Sequence, residues 1–333
     1  MHDPWTWQPA PAARLQQAVT LLHLRGPDTL RFLHGQTSAD LERAPAGAWI
    51  RTCCISPTGR MRALAEVLVE RDGAWLVVTH GDAAAVRAGL DRVLFPADQV
   101  ELGALQPAWL LTPLPQLSPA IATPTPAGPP AALQWQALPA DQGWRLGPGW
   151  LLHQLTALPA ELEALPPLGA DEQERWRLQH GLPAAPAELN DGTNPFELGL
   201  ADRVSLSKGC YVGQETLAKL ATYDGVKQQL RRWHLPQPEE GSGAEQPTPL
   251  AAAPIGAVLL SAEESDGGRC GSVTSALRLA SGAWIGLALV RRQALAAGEL
   301  RLGPDGPCVQ MSTPAGFMAP PVGAGSGTAS GAS

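Results

Sequence analysis

The chain lacks the usual signatures of nucleotide-binding and hydrolytic enzymes. It contains no Gly-x-Gly-x-x-Gly, no P-loop and no Gly-x-Ser-x-Gly elbow. It also lacks Cys-x-x-Cys: Cys53, Cys54, Cys210, Cys270 and Cys308 are an odd number of scattered thiols. Adjacent Cys53 and Cys54 point to opposite faces of a strand, which is poor for chelation, and no histidine has a Cys or His at ligand spacing. No apolar run is long enough to span a bilayer. The opening Met1-His2-Asp3-Pro4-Trp5 has neither a basic nor an apolar leader region, so a reducing, cytoplasmic setting is expected. Charge is sparse, at 17% of residues, and the net charge of −7 argues against a general nucleic-acid or membrane-surface binder.

What is present suits a chain of several domains. The length of 333 residues exceeds what one core usually serves, and 44% hydrophobic residues can fill ordinary cores. The 35 glycines and 33 prolines favour long turns over helical bundles. No internal repeat is visible.

Val19 to Leu24 reads as a strand, and Asp28 as the N-cap of a short helix ended by Gly35. A strand is expected near Trp49 to Ile55, before a Ser56-Pro57-Thr58-Gly59 turn. Arg60 to Glu70 alternates, with Ala63, Ala65, Val67 and Val69 on one face. Arg60, Arg62, Glu66 and Glu70 share the other face with Leu64 and Leu68, so a half-buried strand is expected. Arg71-Asp72-Gly73 supplies a hairpin turn, and Asp82 caps a helix to about Leu94. Residues 104–149 are Pro-rich and read mostly as loop. Asp171 to His180 is a helix ended by Gly181, and 236–249 is a polar linker. Strands at Ile255–Leu260, Gly271–Ser275 and Trp284–Leu289 suggest a small β-barrel, with Cys270 and Cys308 as packing residues and a Gly/Ser/Ala-rich, disordered tail.

The densest chemistry lies in Lys208-Gly209-Cys210-Tyr211-Val212-Gly213-Gln214-Glu215. Alternation in Val204–Ser207 suggests a strand leading in, and Glu215–Leu220 suggests a helix leading out. Cys210 then sits just before a helix N-terminus, where free N–H groups favour a thiolate, and Lys208 shares its face in an extended segment. Gly209 and Gly213 permit close backbone approach or positive φ, and Gln214 and Glu215 can bind ligand amino groups. The plain alternative is a tight turn whose cysteine fills a small pocket. A basic run, Arg203, Lys208, Lys219, Lys227, Arg231 and Arg232, is either a solvated face or a site for an anionic ligand or RNA phosphates.

The octet resembles the signature of the YgfZ family, folate-binding proteins related to the T-protein (aminomethyltransferase) of the glycine cleavage system. Other segments agree in order: Leu22 to Asp28 with Phe32 to Asp40, the Ser56–Arg60 turn, Arg177 to Pro183, Glu188, Pro195 to Leu200 and Gly271 to Ser275. The resemblance covers roughly residues 18 to 295. It implies an α+β, T-protein-like three-domain ring: residues 1–50 plus 150–232 as a discontinuous folate-binding α+β domain, 51–149 as a second α+β domain, 233–320 as a C-terminal small β-barrel and 321–333 as a disordered tail. It implies tetrahydrofolate, or a derivative, as cofactor. Cys210, with Lys208, is the implied catalytic candidate, and Gly209, Tyr211, Gly213, Gln214, Glu215, Arg177 and Glu188 are the implied folate contacts. Iron–sulfur client proteins, including tRNA-modifying radical enzymes, are the implied partners, with tRNA itself as a further one. The T-protein branch carries a catalytic Asp shortly after its Gly turn, whereas Gly59-Arg60-Met61-Arg62-Ala63-Leu64 has no carboxylate. Glycine-cleavage chemistry is therefore not expected, and a one-carbon transferase and a tRNA-binding module stand as alternatives to the accessory role.

Overall fold

In the computed structural model, residues 3–115, 133–237, 250, 252–262 and 268–321 are described. Two closed antiparallel barrels dominate. The first contains β1 (Ala13–Arg25), β2 (Ala48–Ile55), β3 (Met61–Val69), β4 (Gly73–Gly81), β5 (Glu101–Leu114), β6 (Leu133–Ala137), β7 (Gly143–Leu146) and β8 (Gly149–Leu152). They close in the order β1-β4-β3-β2-β6-β7-β8-β5. The second contains β9 (Gln228–Leu235), β10 (Val258–Ser261), β11 (Arg269–Arg278), β12 (Trp284–Arg291), β13 (Glu299–Leu302) and β14 (Cys308–Ser312). Its order is β10-β11-β12-β9-β14-β13. The helices are α1 (Thr29–Gln36), α2 (Ala83–Val93), α3 (Ala160–Glu163), α4 (Ala170–His180) and α5 (Gln214–Thr222). One barrel lies where the small C-terminal barrel was expected, and the other, not expected, is built from the N-terminal half of the chain. The division expected at 50/51 falls inside β2, and the first barrel draws strands from residues 13 to 152.

Barrel closure explains why β3 is not half-buried. Ala63, Ala65, Val67 and Val69 pack outward against Phe32 and Leu33 of α1 and Val86 and Leu90 of α2. Leu68 turns inward with Val19, Leu21, Val77, Trp144, Leu146 and Leu151, which come from strands all round the barrel. Both faces are therefore dry, and Arg62 alone on the strand is exposed. The face that carries Glu66 is the lumen, not solvent.

The Pro-rich stretch is also more ordered than expected. β5 runs through Pro107 and Pro113, which oppose Thr20 and Arg14 of β1. Only Trp109, Leu110 and Leu111 of β5 pair with β8 as well. Both prolines lie outside that doubly paired stretch, where a missing N–H is tolerated. Residues 116–132 of the expected loop, 238–249 of the linker and 322–333 of the tail lie outside the described residues.

Local signals mostly survive. Asp82 caps α2 by accepting from the Ala85 N–H at 3.0 Å. Asp28 precedes α1 without a capping bond and instead accepts from the Gln99 N–H at 3.1 Å. Gly181 closes α4 in the left-handed region. Cys270 is buried in the second barrel, but Cys308 is exposed, because β14 is turned with that residue outward. Among the described residues no helix is long and apolar enough to cross a membrane.

A third apolar layer joins the halves. It includes Cys53, Ile55 and Leu64 of the first barrel, Leu178 of α4 and Phe196 and Leu198 of the following segment. Tyr211, Leu217 of α5 and Ile285 and Leu287 of β12 complete it. The octet thus opens onto the junction between the barrels.

Candidate functional site at the barrel junction

The octet enters α5 as expected, but no strand precedes it. Ala201–Arg203 form a 3-10 turn, and residues 204–213 cross as an irregular segment. The alternation in Val204–Ser207 does not become a strand because its backbone bonds a loop: the Ser205 N–H donates to Ser38 O. Gly213 is the turning point, at φ +79°. A Cβ there would lie 2.7 Å from the Ser56 carbonyl oxygen and 2.9 Å from Ile55 Cδ1. Glycine therefore allows the Ser56–Gly59 turn to pack onto the start of α5. The Gln214 side chain spans the octet, donating to the Lys208 carbonyl at 3.1 Å, and the Val212 N–H donates to Gly35 O at 3.0 Å.

Lys208 does not share a face with Cys210. Its ammonium turns inward and donates to the carbonyls of His34, of Thr37 at 2.7 Å and of Ala39 at 2.6 Å. It also lies 4.3 Å from the Tyr211 ring centroid. Burial draws it down to about 7, against three carbonyl acceptors that match the three donors of the protonated form. The lysine clasps the end of α1, and its charge is spent there rather than on the thiol. Cys210 is exposed beside it. His34, on α1, accepts at Nδ1 from the Leu41 and Glu42 N–H groups at 3.3 and 3.2 Å. Its Nε2 lies 3.7 Å from where a Cβ on Gly209 would stand, so the octet runs directly over this ring. Burial, then Lys208, lowers the His34 imidazole.

The other sequence candidates divide. Glu215 is exposed and pairs with Lys219 at 2.6 Å one helical turn on, so it does not face the junction. Arg177 and Glu188 come together but satisfy each other and the protein. Arg177 holds Glu174 through two 2.7 Å bonds and donates to Leu182 O at 2.7 Å and Glu188 Oε2 at 3.3 Å. Glu188, fully buried, also accepts from Ser275 Oγ of the second barrel at 2.6 Å and from the Ala184 N–H at 3.0 Å. The pair forms a latch between α4 and the second barrel. The basic run is not one face: Arg203, Lys208 and Arg231 are buried.

The structure adds a polar cluster that the sequence reading missed. Cross-strand pairs place Cys53, Leu64 and His80, and likewise Arg51, Glu66 and Val77, on the lumen face of the first barrel. Glu66 is buried, accepts from Trp49 Nε1 at 2.7 Å, and burial raises its carboxyl. Burial, then Arg177 and Arg203, lowers His80 to about 4. The 3-10 turn delivers Arg203 to this end through the Asp202–Arg51 ion pair at 2.9 Å and a Ser38 Oγ bond to Arg203 O at 2.6 Å. The Tyr211 hydroxyl, also buried, has no hydrogen-bond partner among the described residues. Glu66 was detectable: its neighbours on the same face, Leu64 and Leu68, are apolar, which a solvent face would not favour.

No family model matches the chain. A chloroplastic "putative transferase" of Arabidopsis thaliana is 30% identical over 239 residues, covering 66% of this chain and 55% of that protein. The chain thus spans little more than half the length of that relative. The crystal structure of glycine cleavage system aminomethyltransferase T from Bartonella henselae superposes with a TM-score of 0.65 at 18% identity, covering 93% of this chain and 86% of that one. The fold is mixed α/β, similar to that aminomethyltransferase, with two closed β-barrels.

Proposed function

We propose that this chain binds tetrahydrofolate or a derivative at the barrel junction and serves as an accessory protein for assembly or repair of iron–sulfur proteins. Cys210 is its reactive group in this reading. The observation that carries it is the octet: Tyr211 presents a buried, unpartnered hydroxyl to the junction while Cys210 stays exposed on the same clamped segment. The aminomethyltransferase-like fold and the octet's resemblance to folate-binding proteins support the same ligand.

The residues suit a reduced pterin. Glu66, on the lumen face of the first barrel, offers a buried acceptor for ring N–H groups, the Tyr211 hydroxyl offers a donor, and apolar Leu64 and Ile55 pack in one cluster with Tyr211. A bound folate would supply a carrier for a one-carbon unit. The chain's part is to orient it, exclude water and hold a thiol nearby. Lys208 fixes the loop that carries the thiol, and the Arg177–Glu188–Ser275 latch fixes the second wall. Complementation of a strain lacking its own copy, scored by tRNA methylthiolation, tests the role of the thiol. Rescue by the wild-type chain and failure of Cys210→Ala is the expected result. Full rescue by Cys210→Ala contradicts it.

A one-carbon transferase is the second reading, favoured by the relative named as a transferase and by one observation. Glu66 provides a buried carboxylate held towards its protonated form, a suitable group for acid–base work, although the Gly59–Leu64 stretch has none. Transfer of a one-carbon unit to tetrahydrofolate by the wild type, lost in Glu66→Gln, would establish it. No transfer by the wild type would remove it.

A further inference from the structure

Arg203 is buried, with 8% of its surface exposed, yet its Nε and Nη1 find no hydrogen-bond partner among the described residues. Among the described residues, the other deeply placed cations Arg177, Lys208 and Arg231 all make side-chain hydrogen bonds, whereas none is found for Arg203. Arg177 has Glu174 and Glu188, and Lys208 has three carbonyls. The neighbouring carboxylates are hydrogen-bonded elsewhere, Asp202 to Arg51 and Glu66 to Trp49, so Glu66 and Arg203 act on each other through space without a hydrogen bond. A buried guanidinium whose N–H groups lack acceptors is costly, and a bound oxyanion would supply them. It is also held in place from behind, since its own carbonyl accepts from Ser38 Oγ, and Ser38 Oγ in turn accepts from the Cys53 N–H at 2.9 Å. Two further groups stand nearby: the unpartnered Tyr211 hydroxyl, a neutral donor that packs in one cluster with Cys53, the thiol on which Arg203 also acts, and His80, which sits close enough for Arg203 to act on it.

We propose that Arg203 and the Tyr211 hydroxyl form an oxyanion-binding site at the lumen end of the first barrel, taking a carboxylate or phosphate group of a small-molecule ligand. A planar guanidinium with two free N–H groups matches the two oxygens of such a group, and a phenol can supply a third donor. The site does not depend on the ligand being a folate: the anion is bound by Arg203 whether it arrives as free phosphate or as the carboxylate of a larger molecule.

The test is thermal unfolding of the wild type, Arg203→Lys and Arg203→Met at constant ionic strength, with chloride exchanged for inorganic phosphate, for acetate or for 5-formyltetrahydrofolate. The wild type should show a saturable rise of about 2 °C or more in phosphate or in acetate. Arg203→Met should lose that rise, and Arg203→Lys, which keeps the charge but not the planar fork, should weaken apparent affinity by about tenfold. A rise in the wild type that is equal in both variants, or no saturable rise in either small anion, overturns the proposal. If Arg203→Met does not fold, the lysine variant alone decides on the same criteria. A response to phosphate or acetate without any response to the folate supports the anion site and removes the folate reading. Folate binding without a response to either small anion retains the folate reading and removes the anion site.

Discussion

Ser275 Oγ of β11 donates a 2.6 Å hydrogen bond to Glu188 Oε1, joining the second barrel to the segment that follows α4. Arg177 closes the triangle, reaching Glu188 at 3.3 Å and Ser275 Oγ at 2.8 Å. Because Glu188 is fully buried, its charge is tolerable only while these partners are in place. Glu188→Ala should therefore destabilise the protein by about 3–5 kcal/mol. Ser275→Ala should cost about 1–2 kcal/mol. Urea unfolding measures both, and a Glu188→Ala protein as stable as the wild type would show that the latch bears no weight.

Gly213→Ala meets two obstacles at once: φ of +79° and a Cβ 2.7 Å from a backbone oxygen. The expected loss is roughly 2–4 kcal/mol. It should be accompanied by faster hydrogen exchange in α5, whose first turn must shift. Unchanged melting would mean that the Ser56–Gly59 turn yields freely.

The five thiols should react in two classes. Cys210 and Cys308 are exposed, whereas Cys53, Cys54 and Cys270 are buried, and burial pushes Cys53 and Cys54 up to about 12. Iodoacetamide followed by peptide mass spectrometry should label only Cys210 and Cys308 in the folded protein, and all five after denaturation. Labelling of Cys53 under native conditions would contradict the closed first barrel. Removing Cys210 as Cys210→Ala should change stability by less than about 0.5 kcal/mol.

How much of this was legible follows the range of the interactions. The cap of α2 by Asp82, the Arg71–Gly73 hairpin and the helix entry at Gly213 each involve neighbours in sequence, and each reads directly. The strands of the second barrel at Gly271–Ser275 and Trp284–Leu289 read for the same reason. Lys208 could not be placed, because its three acceptors lie some 170 residues earlier in the chain. Glu66 was assigned to solvent because alternation alone does not say whether the polar face closes into a lumen. Arg177 and Glu188 were expected separately, as folate contacts; their pairing with each other and with Ser275 was not legible, because Ser275 belongs to another barrel.

His80 should give the protein an acid-sensitive component. Its folded-state value of about 4 lies below the ordinary 6.5, so the unfolded chain binds more protons between these limits. The contribution is fully present above pH 6.5 and is lost as pH falls towards 4, by about 2 kcal/mol after allowance for partial exposure. Stability measured against pH for the wild type and His80→Gln checks the sign. The variant should lose less stability from pH 6.5 to 4, and parallel curves would refute the assignment.

The central claim is that the barrel junction binds a reduced folate. Calorimetric titration of 5-formyltetrahydrofolate into the wild type, Tyr211→Phe and Cys210→Ala tests it most directly. Saturable binding at one site per chain is expected in the wild type, with affinity unchanged in Cys210→Ala and reduced about three- to tenfold in Tyr211→Phe, which loses the buried hydroxyl. Absence of saturable binding to the wild type, or binding unaffected by Tyr211→Phe and abolished by Cys210→Ala, would contradict it.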